Sequence, residues 1–110
     1  MVFAKSLDST NLECQRRFQA DTSCHWLILA DEQQGGRGRY GRSWESAPGV
    51  NIYLSLVWDN PFSPSQTGYL NLLFGLLVWE SLLELYPMLH DRLTIKWPND
   101  VRLGGKKVAG

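Results

Sequence analysis

Ten consecutive residues, Gly35-Gly36-Arg37-Gly38-Arg39-Tyr40-Gly41-Arg42-Ser43-Trp44, hold four glycines and three arginines, with no acidic residue between Glu32 and Glu45. Glycine permits positive φ and close backbone approach to a ligand, and guanidinium forks match the oxygens of phosphates and carboxylates. Trp44 adds a flat apolar face on which a base or another ring can stack. The chemistry of such a segment is the holding of an anion. Gly36, Gly38 and Gly41 also spell G-x-G-x-x-G, but that fingerprint must open a helix facing a pyrophosphate. Here Glu45-Ser46-Ala47-Pro48-Gly49 and a strand-like run follow instead, and no Gly-Lys-Ser/Thr occurs anywhere. Neither a dinucleotide fold nor a Walker-type loop is expected. A solvated basic loop or an RG-type nucleic-acid-binding segment would use the same residue types.

A second segment, Lys96-Trp97-Pro98-Asn99-Asp100, is followed by Lys106-Lys107. It brings cations and a carboxylate together at a strand end and the hairpin after it. Asp100, with Asn99 beside it, suits a hard cation, because Mg²⁺ takes few carboxylates and completes its shell with substrate phosphates. The same residues also suit an ordinary turn, where Pro and Asp are common for conformational reasons.

The rest of the composition narrows the field. Eleven Lys+Arg balance eleven Asp+Glu, so bulk charge cannot hold nucleic acid or a membrane surface, and anion chemistry must come from local placement. Cys14 and Cys24 stand ten residues apart, which suits neither a disulfide framework nor structural zinc, and free thiols are expected. Met1 to Asn11 holds one Lys and is followed by no apolar core of a secretory signal. The longest apolar stretch, Tyr69 to Trp79, is broken by Asn71 and Gly75 and ended by Glu80, short of the ~20 residues a bilayer needs. A soluble, cytoplasmic protein is the expectation, with room for one domain at most.

Elements that must position these residues can be read from pattern. Val2–Leu7 reads as a strand, and Thr10 with Glu13 reads as a capping box opening a helix to about Ala20, with Leu12 and Phe18 on its better face. Asp21-Thr22-Ser23 is a turn and His25–Ala30 a buried strand. Gln33 to Gly49 carries no regular pattern, and ordering of this flexible stretch is expected on ligand binding. Val50–Trp58 alternates: Val50, Ile52, Leu54, Leu56 and Trp58 form an apolar face, with Asn51, Tyr53 and Ser55 opposite. Ser65 to Tyr86 predicts a helix buried against a sheet on most of its circumference. Leu93–Trp97 is a strand, and Val101–Leu103 and Lys106–Ala109 form a hairpin turning on Gly104-Gly105. The chain stops within that last strand, so an incomplete domain is expected.

Taken in order, Asp8-Ser9-Thr10-Asn11, Gln33-Gln34-Gly35-Gly36-Arg37-Gly38-Arg39-Tyr40-Gly41-Arg42-Ser43-Trp44, Asn51-Ile52-Tyr53-Leu54-Ser55-Leu56, Lys96-Trp97-Pro98-Asn99-Asp100 and Lys107-Val108-Ala109-Gly110 resemble the successive motifs of biotin–protein ligases. The resemblance covers essentially the whole chain and only the first part of that family's catalytic domain. It implies an α+β fold, a mixed β-sheet backed by helices, of the biotin/lipoate protein ligase kind related to class II aminoacyl-tRNA synthetases. Residues 1–110 would be a partial catalytic domain, unstable or inactive by itself, without a helix-turn-helix domain before it or a small β domain after it. Ala47-Pro48 stands where the family usually has Pro directly after Ser46.

The resemblance further implies ATP-dependent activation of biotin to biotinyl-5′-AMP and transfer of the biotinyl group to a lysine of a carrier domain, such as that of acetyl-CoA carboxylase. Biotin, ATP and Mg²⁺ are the implied small molecules, and neither DNA nor membrane is an implied partner. By the same resemblance Ser9, Thr10 and Gln33 would bind the ureido head of biotin, Asn11 would also be biotin-binding, and Gly36, Arg37, Gly38 and Arg39 would cover its tail and carboxylate. Arg39, Arg42, Trp44 and Lys96 would bind ATP, and Asp100 the metal. Arg39 and Lys107 would be catalytic, with Lys107 also touching biotin where carboxylate meets phosphate. The physics agrees: two anions must be brought together, and a unit-charge contact at 4 Å is worth ~4 kcal/mol at an effective dielectric near 20. Such transfer asks for positioning and neutralisation, not a side-chain nucleophile. A lipoate–protein ligase is the alternative on the same fold.

Overall fold

The computed structural model describes residues 1–59 and 61–110, with Arg39 described by its backbone only. The chain divides into two compact units, Met1–Asn60 and Pro61–Gly110.

In the first unit β1 (Val2–Leu7), α1 (Thr10–Ala20), β2 (Trp26–Gln33) and β3 (Tyr53–Val57) build a three-stranded mixed sheet in the order β1-β2-β3. β1 and β2 are parallel, with Ala4 beside Ala30, and α1 supplies the crossover that parallel pairing requires. β2 and β3 are antiparallel, with Ala30 beside Tyr53 and Ile28 beside Ser55. α1 packs on β2 and β3. Thr10 and Cys14, one helical turn apart, are buried, as are Ile28, Ala30 and Tyr53. Full burial of a side chain such as Ile28 is worth about 1.5–3 kcal/mol, which makes this small cluster the unit's main stabilising feature.

Four expectations change here. The helix is capped by Ser9, whose side chain accepts from Leu12 N at 3.5 Å, and Thr10 is already inside it. Glu13 is therefore free of a capping role and instead pairs with Arg16 and Arg17 at 3.0 and 2.8 Å. β2 runs on to Gln33, because Gln33 N finds Ser46 O at 3.2 Å and Gln34 N finds Leu7 O at 2.8 Å. The faces of β3 are inverted relative to a simple hydropathy reading: Tyr53 is 5% exposed, while Leu54 and Leu56 are 51% and 45% exposed. The cause is local, since α1 covers the Tyr53–Ser55 face and offers Thr10 to Ser55 at 2.8 Å.

The fourth concerns the glycine-arginine segment, which carries no regular pattern in the sequence and yet forms a small hairpin. Gly38 N donates to Arg42 O at 2.7 Å and Trp44 N to Gly36 O at 2.8 Å, and Arg37 bridges Ser43. A tight 3-10 turn at Arg39–Gly41 closes this small hairpin, with Tyr40 at φ 60° and Gly41 at φ 73°. Two successive left-handed residues let the chain reverse without a longer loop.

The second unit holds α2 (Pro64–Leu85) and an antiparallel sheet of β4 (Leu93–Lys96), β5 (Asp100–Leu103) and β6 (Lys106–Ala109), in sequence order. α2 opens with a capping box between Ser63 and Gln66, and Pro64 sits in its first turn. The β5–β6 turn uses Gly104 and Gly105 at φ 55° and 83°, the mirror-image turn that fits strand twist. β4 and β5 are joined through Trp97-Pro98-Asn99, with a cis bond before Pro98.

α2 is not buried as expected. Gly75 alone of its residues is buried, and Leu72, Leu73, Leu76 and Leu77 are 39–48% exposed. A four-residue strand spans roughly 13 Å and a 22-residue helix roughly 33 Å, so β4 and β5 can cover only a short length of it. Where they meet, a Cβ at Gly75 would lie 2.9 Å from Asn99 Cα, and Trp79 Nε1 donates to Leu93 O at 3.1 Å. By length and composition α2 could also cross a membrane, a reading that counting only the uninterrupted apolar run sets aside. Its packing on β4 and β5 is that of a helix backing a sheet.

Candidate functional site

In the first unit the chemistry converges on Gln33, at the end of β2. Its Oε1 accepts from Thr10 N at 2.8 Å and from Thr10 Oγ1 at 3.0 Å. Its Nε2 donates to Ser46 Oγ at 3.0 Å, and Ser46 Oγ donates in turn to Trp44 O at 3.2 Å. Ser55 joins through Thr10. Ser9, Thr10 and Ser46 are buried polar residues, so the network is sheltered from water and its bonds are correspondingly costly to break.

The glycine-arginine hairpin closes onto this network. A Cβ on Gly36 would stand 2.6 Å from Trp44 O, 2.8 Å from Ser46 Oγ and 3.2 Å from Gln33 Nε2. Only glycine allows the strap to lie this close. Gly38 sits beside Arg42, Arg37 and Arg42 are exposed, and Trp44 is 38% exposed. Beneath the strap Asp8 anchors the loop before α1. It accepts two bonds from Arg16, at 2.9 and 2.8 Å, and one from Ser9 N at 2.7 Å, and the Arg16 guanidinium holds its pKa down to about 2. Asp8 O also accepts from Gly35 N at 2.8 Å, tying that loop to the strap.

In the second unit Lys107 Nζ donates to Asp100 Oδ1 at 2.8 Å. This bond, and then the positive fields of Lys107, Lys96 and Arg102, hold the Asp100 carboxyl below its ordinary range despite partial desolvation. Lys96 lies directly across the ladder from Asp100. A Cβ on Gly110 would fall 2.5 Å from Lys107 Cε and 3.0 Å from Asp100 Oδ1, so the motif's glycine gives that ion pair its space.

The structure thus gathers Ser9, Thr10, Gln33, Gly36, Gly38 and Trp44 in one unit, and Lys96, Asp100 and Lys107 in the other. Asn11 is not gathered: it is exposed on the outer face of α1, where its Oδ1 accepts from Gln15 Nε2 at 3.2 Å. The Arg39 side chain lies outside the described residues. As a metal ligand Asp100 is a lone carboxylate, since no cluster of three acidic, His or Cys residues occurs among the described residues. A lone carboxylate fits Mg²⁺ delivered with phosphates and does not fit an all-protein cage. Two apolar clefts of about 330 and 350 Å³ lie along α2, lined among others by Trp79 and Leu93 and by Phe62 and Tyr69. Neither contains a charged side chain, and neither suits an anion.

Sequence reasoning missed Ser46 and Ser55. Ser46 lies two residues after Trp44, just past a segment read for its glycines, arginines and tryptophan. Ser55 could have been found, because a small polar residue on the covered face of an alternating strand needs a buried partner.

These features define an α+β ligase fold, and the family model for the biotin/lipoate A/B protein ligase family matches residues 3–110. The chain belongs to that family. It is similar to the bifunctional ligase/repressor BirA of Escherichia coli, 37% identical over 107 residues, covering 94% of this chain and 31% of that protein. The biotin–[acetyl-CoA-carboxylase] ligase of Paracoccus denitrificans is 39% identical over 104 residues, 94% of this chain and 42% of that protein. Among solved structures, biotin protein ligase from Leishmania major in complex with biotinyl-5-AMP superposes with a TM-score of 0.80 at 27% identity, over 96% of this chain and 47% of that one. The Aquifex aeolicus enzyme in complex with biotin and ATP gives 0.70 at 34% identity, over 99% and 44%. The chain spans about a third to a half of the length of these relatives.

Proposed function

We propose that this protein is a biotin–protein ligase. A carboxylate oxygen of biotin attacks the α-phosphorus of ATP, pyrophosphate leaves, and biotinyl-5′-AMP forms. A carrier-domain lysine amine then attacks the acyl carbon, AMP leaves, and an amide results. The name of the Paracoccus relative points to acetyl-CoA carboxylase as the source of that lysine. Because ATP and the carrier are intracellular reactants, the reaction is assigned to the cytoplasm.

The observation that carries this reading is the buried Thr10–Gln33–Ser46 network under a glycine-arginine strap. A half-buried carboxamide flanked by hydroxyls suits a cyclic urea, which has both donors and an acceptor to satisfy. A dithiolane head, as in lipoate, has no N–H donor and only weak sulfur acceptors to offer the second Gln33 Nε2 proton and the remaining hydroxyl lone pairs. The strap backbone and Arg37, Arg39 and Arg42 neutralise the carboxylate and phosphates, Trp44 stacks on adenine, and Lys96 and Lys107 serve the reacting oxygens. Mg²⁺, when bound with ATP beside Asp100, would supply further charge neutralisation on the phosphates.

Mass-spectrometric detection of biotinyl-5′-AMP tests the reading, using protein expressed from its full reading frame with ATP, Mg²⁺ and biotin. Biotinyl-5′-AMP is the expected product. Formation of lipoyl-AMP in preference to it would favour the lipoate reading instead.

A further inference from the structure

We infer that Ser46 is a positioning residue: its hydroxyl fixes the plane of the Gln33 carboxamide and locks it to the glycine-arginine strap. The inference rests on the ligand reading above and deepens it.

Thr10 N can only donate, so the Gln33 atom 2.8 Å from it must be the amide oxygen. At the far end, Trp44 O can only accept, so the single Ser46 hydroxyl proton is committed to it. Ser46 Oγ then has only lone pairs to offer Gln33, and the amide atom facing it must be Nε2. Both ends independently impose one orientation on an amide that could otherwise flip. The Thr10 hydroxyl proton is likewise used on Gln33 Oε1, so Ser55 is the donor in the Ser55–Thr10 bond. The chain of hydrogen bonds is directional from Ser55 to the Trp44 carbonyl.

Thr10 alone would leave the amide able to swing about its oxygen. Ser46 pins the nitrogen, and Ser46 O accepts from Gln33 N at 3.2 Å, so backbone and side chain hold the same residue. Ser46 is 9% exposed, which removes water as a substitute partner. Gly36 packs directly over the hydroxyl. A change at Ser46 is thus felt by Gln33 and by the strap together.

The test is a double-mutant cycle with biotin as the titrant, on protein expressed from its full reading frame. Ser46→Ala and Gln33→Ala are each expected to weaken biotin about tenfold, and Ser46→Ala is expected to add little in the Gln33→Ala background. Unchanged affinity in Ser46→Ala, or a full second tenfold loss in the double variant, would overturn the inference. If Ser46→Ala does not fold, Ser46→Cys, which keeps a weak donor and acceptor, is expected to show the same non-additivity at smaller size, and additivity there would overturn it. The side-chain amide signals of Gln33 in ligand-free protein give a readout independent of biotin. They are expected to exchange slowly in the parent and rapidly in Ser46→Ala, and equal exchange in both would count against Ser46. Absence of biotin binding by the parent would count against the ligase reading alone.

Discussion

Gln33 Oε1 is held by Thr10 twice, once by the backbone N–H that opens α1 and once by the side-chain hydroxyl. One residue thus registers the start of a helix against the end of a strand, from opposite sides of the α1 crossover. Thr10→Val keeps the shape of the side chain and removes the hydroxyl. It is expected to cost about 1–2 kcal/mol, since Ser55 loses its partner and the amide oxygen loses one of its two bonds. Urea unfolding measures this, and biotin affinity should fall in parallel.

Gly36 and Gly41 differ in why they are glycine. Gly36→Ala would drive a methyl into Trp44 O and Ser46 Oγ, and overpacking of this kind costs about 1–3 kcal/mol. Gly41 has open space around it but a φ of 73°, so Gly41→Ala carries only a left-handed backbone penalty of about 1–2 kcal/mol. Biotin affinity is expected to fall in the first variant and to hold in the second, read by calorimetric titration beside thermal melts.

Asp8 sets an acid limit. Its folded pKa of about 2 lies below the ordinary 3.8, so its stabilising contribution is fully present above about pH 4 and is lost as pH falls through 2. Glu13, Asp21 and Asp100 are also held low and add to the same slope. Asp8→Asn is expected to make stability less dependent on pH between about 4 and 2, measured by urea midpoints across that range. Raised salt should weaken the effect, because the Asp8–Arg16 pair is about half exposed.

Lys107 separates stability from chemistry. Its ion pair with Asp100 is partly exposed, and such pairs contribute at most about 1 kcal/mol. Lys107→Met should therefore unfold within about 1 kcal/mol of the parent while losing roughly 10²–10³-fold in adenylate formation. Equal losses in both measurements would make Lys107 a structural residue only.

Much of this was legible in the sequence, for physical reasons that differ by element. The Gly104-Gly105 hairpin was readable because two left-handed residues at a strand turn leave few alternatives. β1, α1 and β2 followed from apolar runs separated by a capping segment, although the cap fell on Ser9 instead of Thr10, because Thr10 is drawn to Gln33. Alternation in β3 marked a strand but not its buried side. The choice between Tyr53 and Leu54 was made by α1, a partner that no local pattern reveals. α2 showed its composition plainly, yet burial depends on how much sheet stands beneath it, and β4 and β5 are short. In the site, the arginines and lysines announced themselves by type. Ser46 did not, since its part depends on a carbonyl and a carboxamide that meet only after folding.

The most direct test of the ligase account is biotin-dependent exchange of labelled pyrophosphate into ATP, with the protein expressed from its full reading frame. Exchange that requires biotin and Mg²⁺, and that collapses in Gln33→Ala and Lys107→Met, is the expected result. Folded protein with no exchange at saturating biotin and ATP would contradict it.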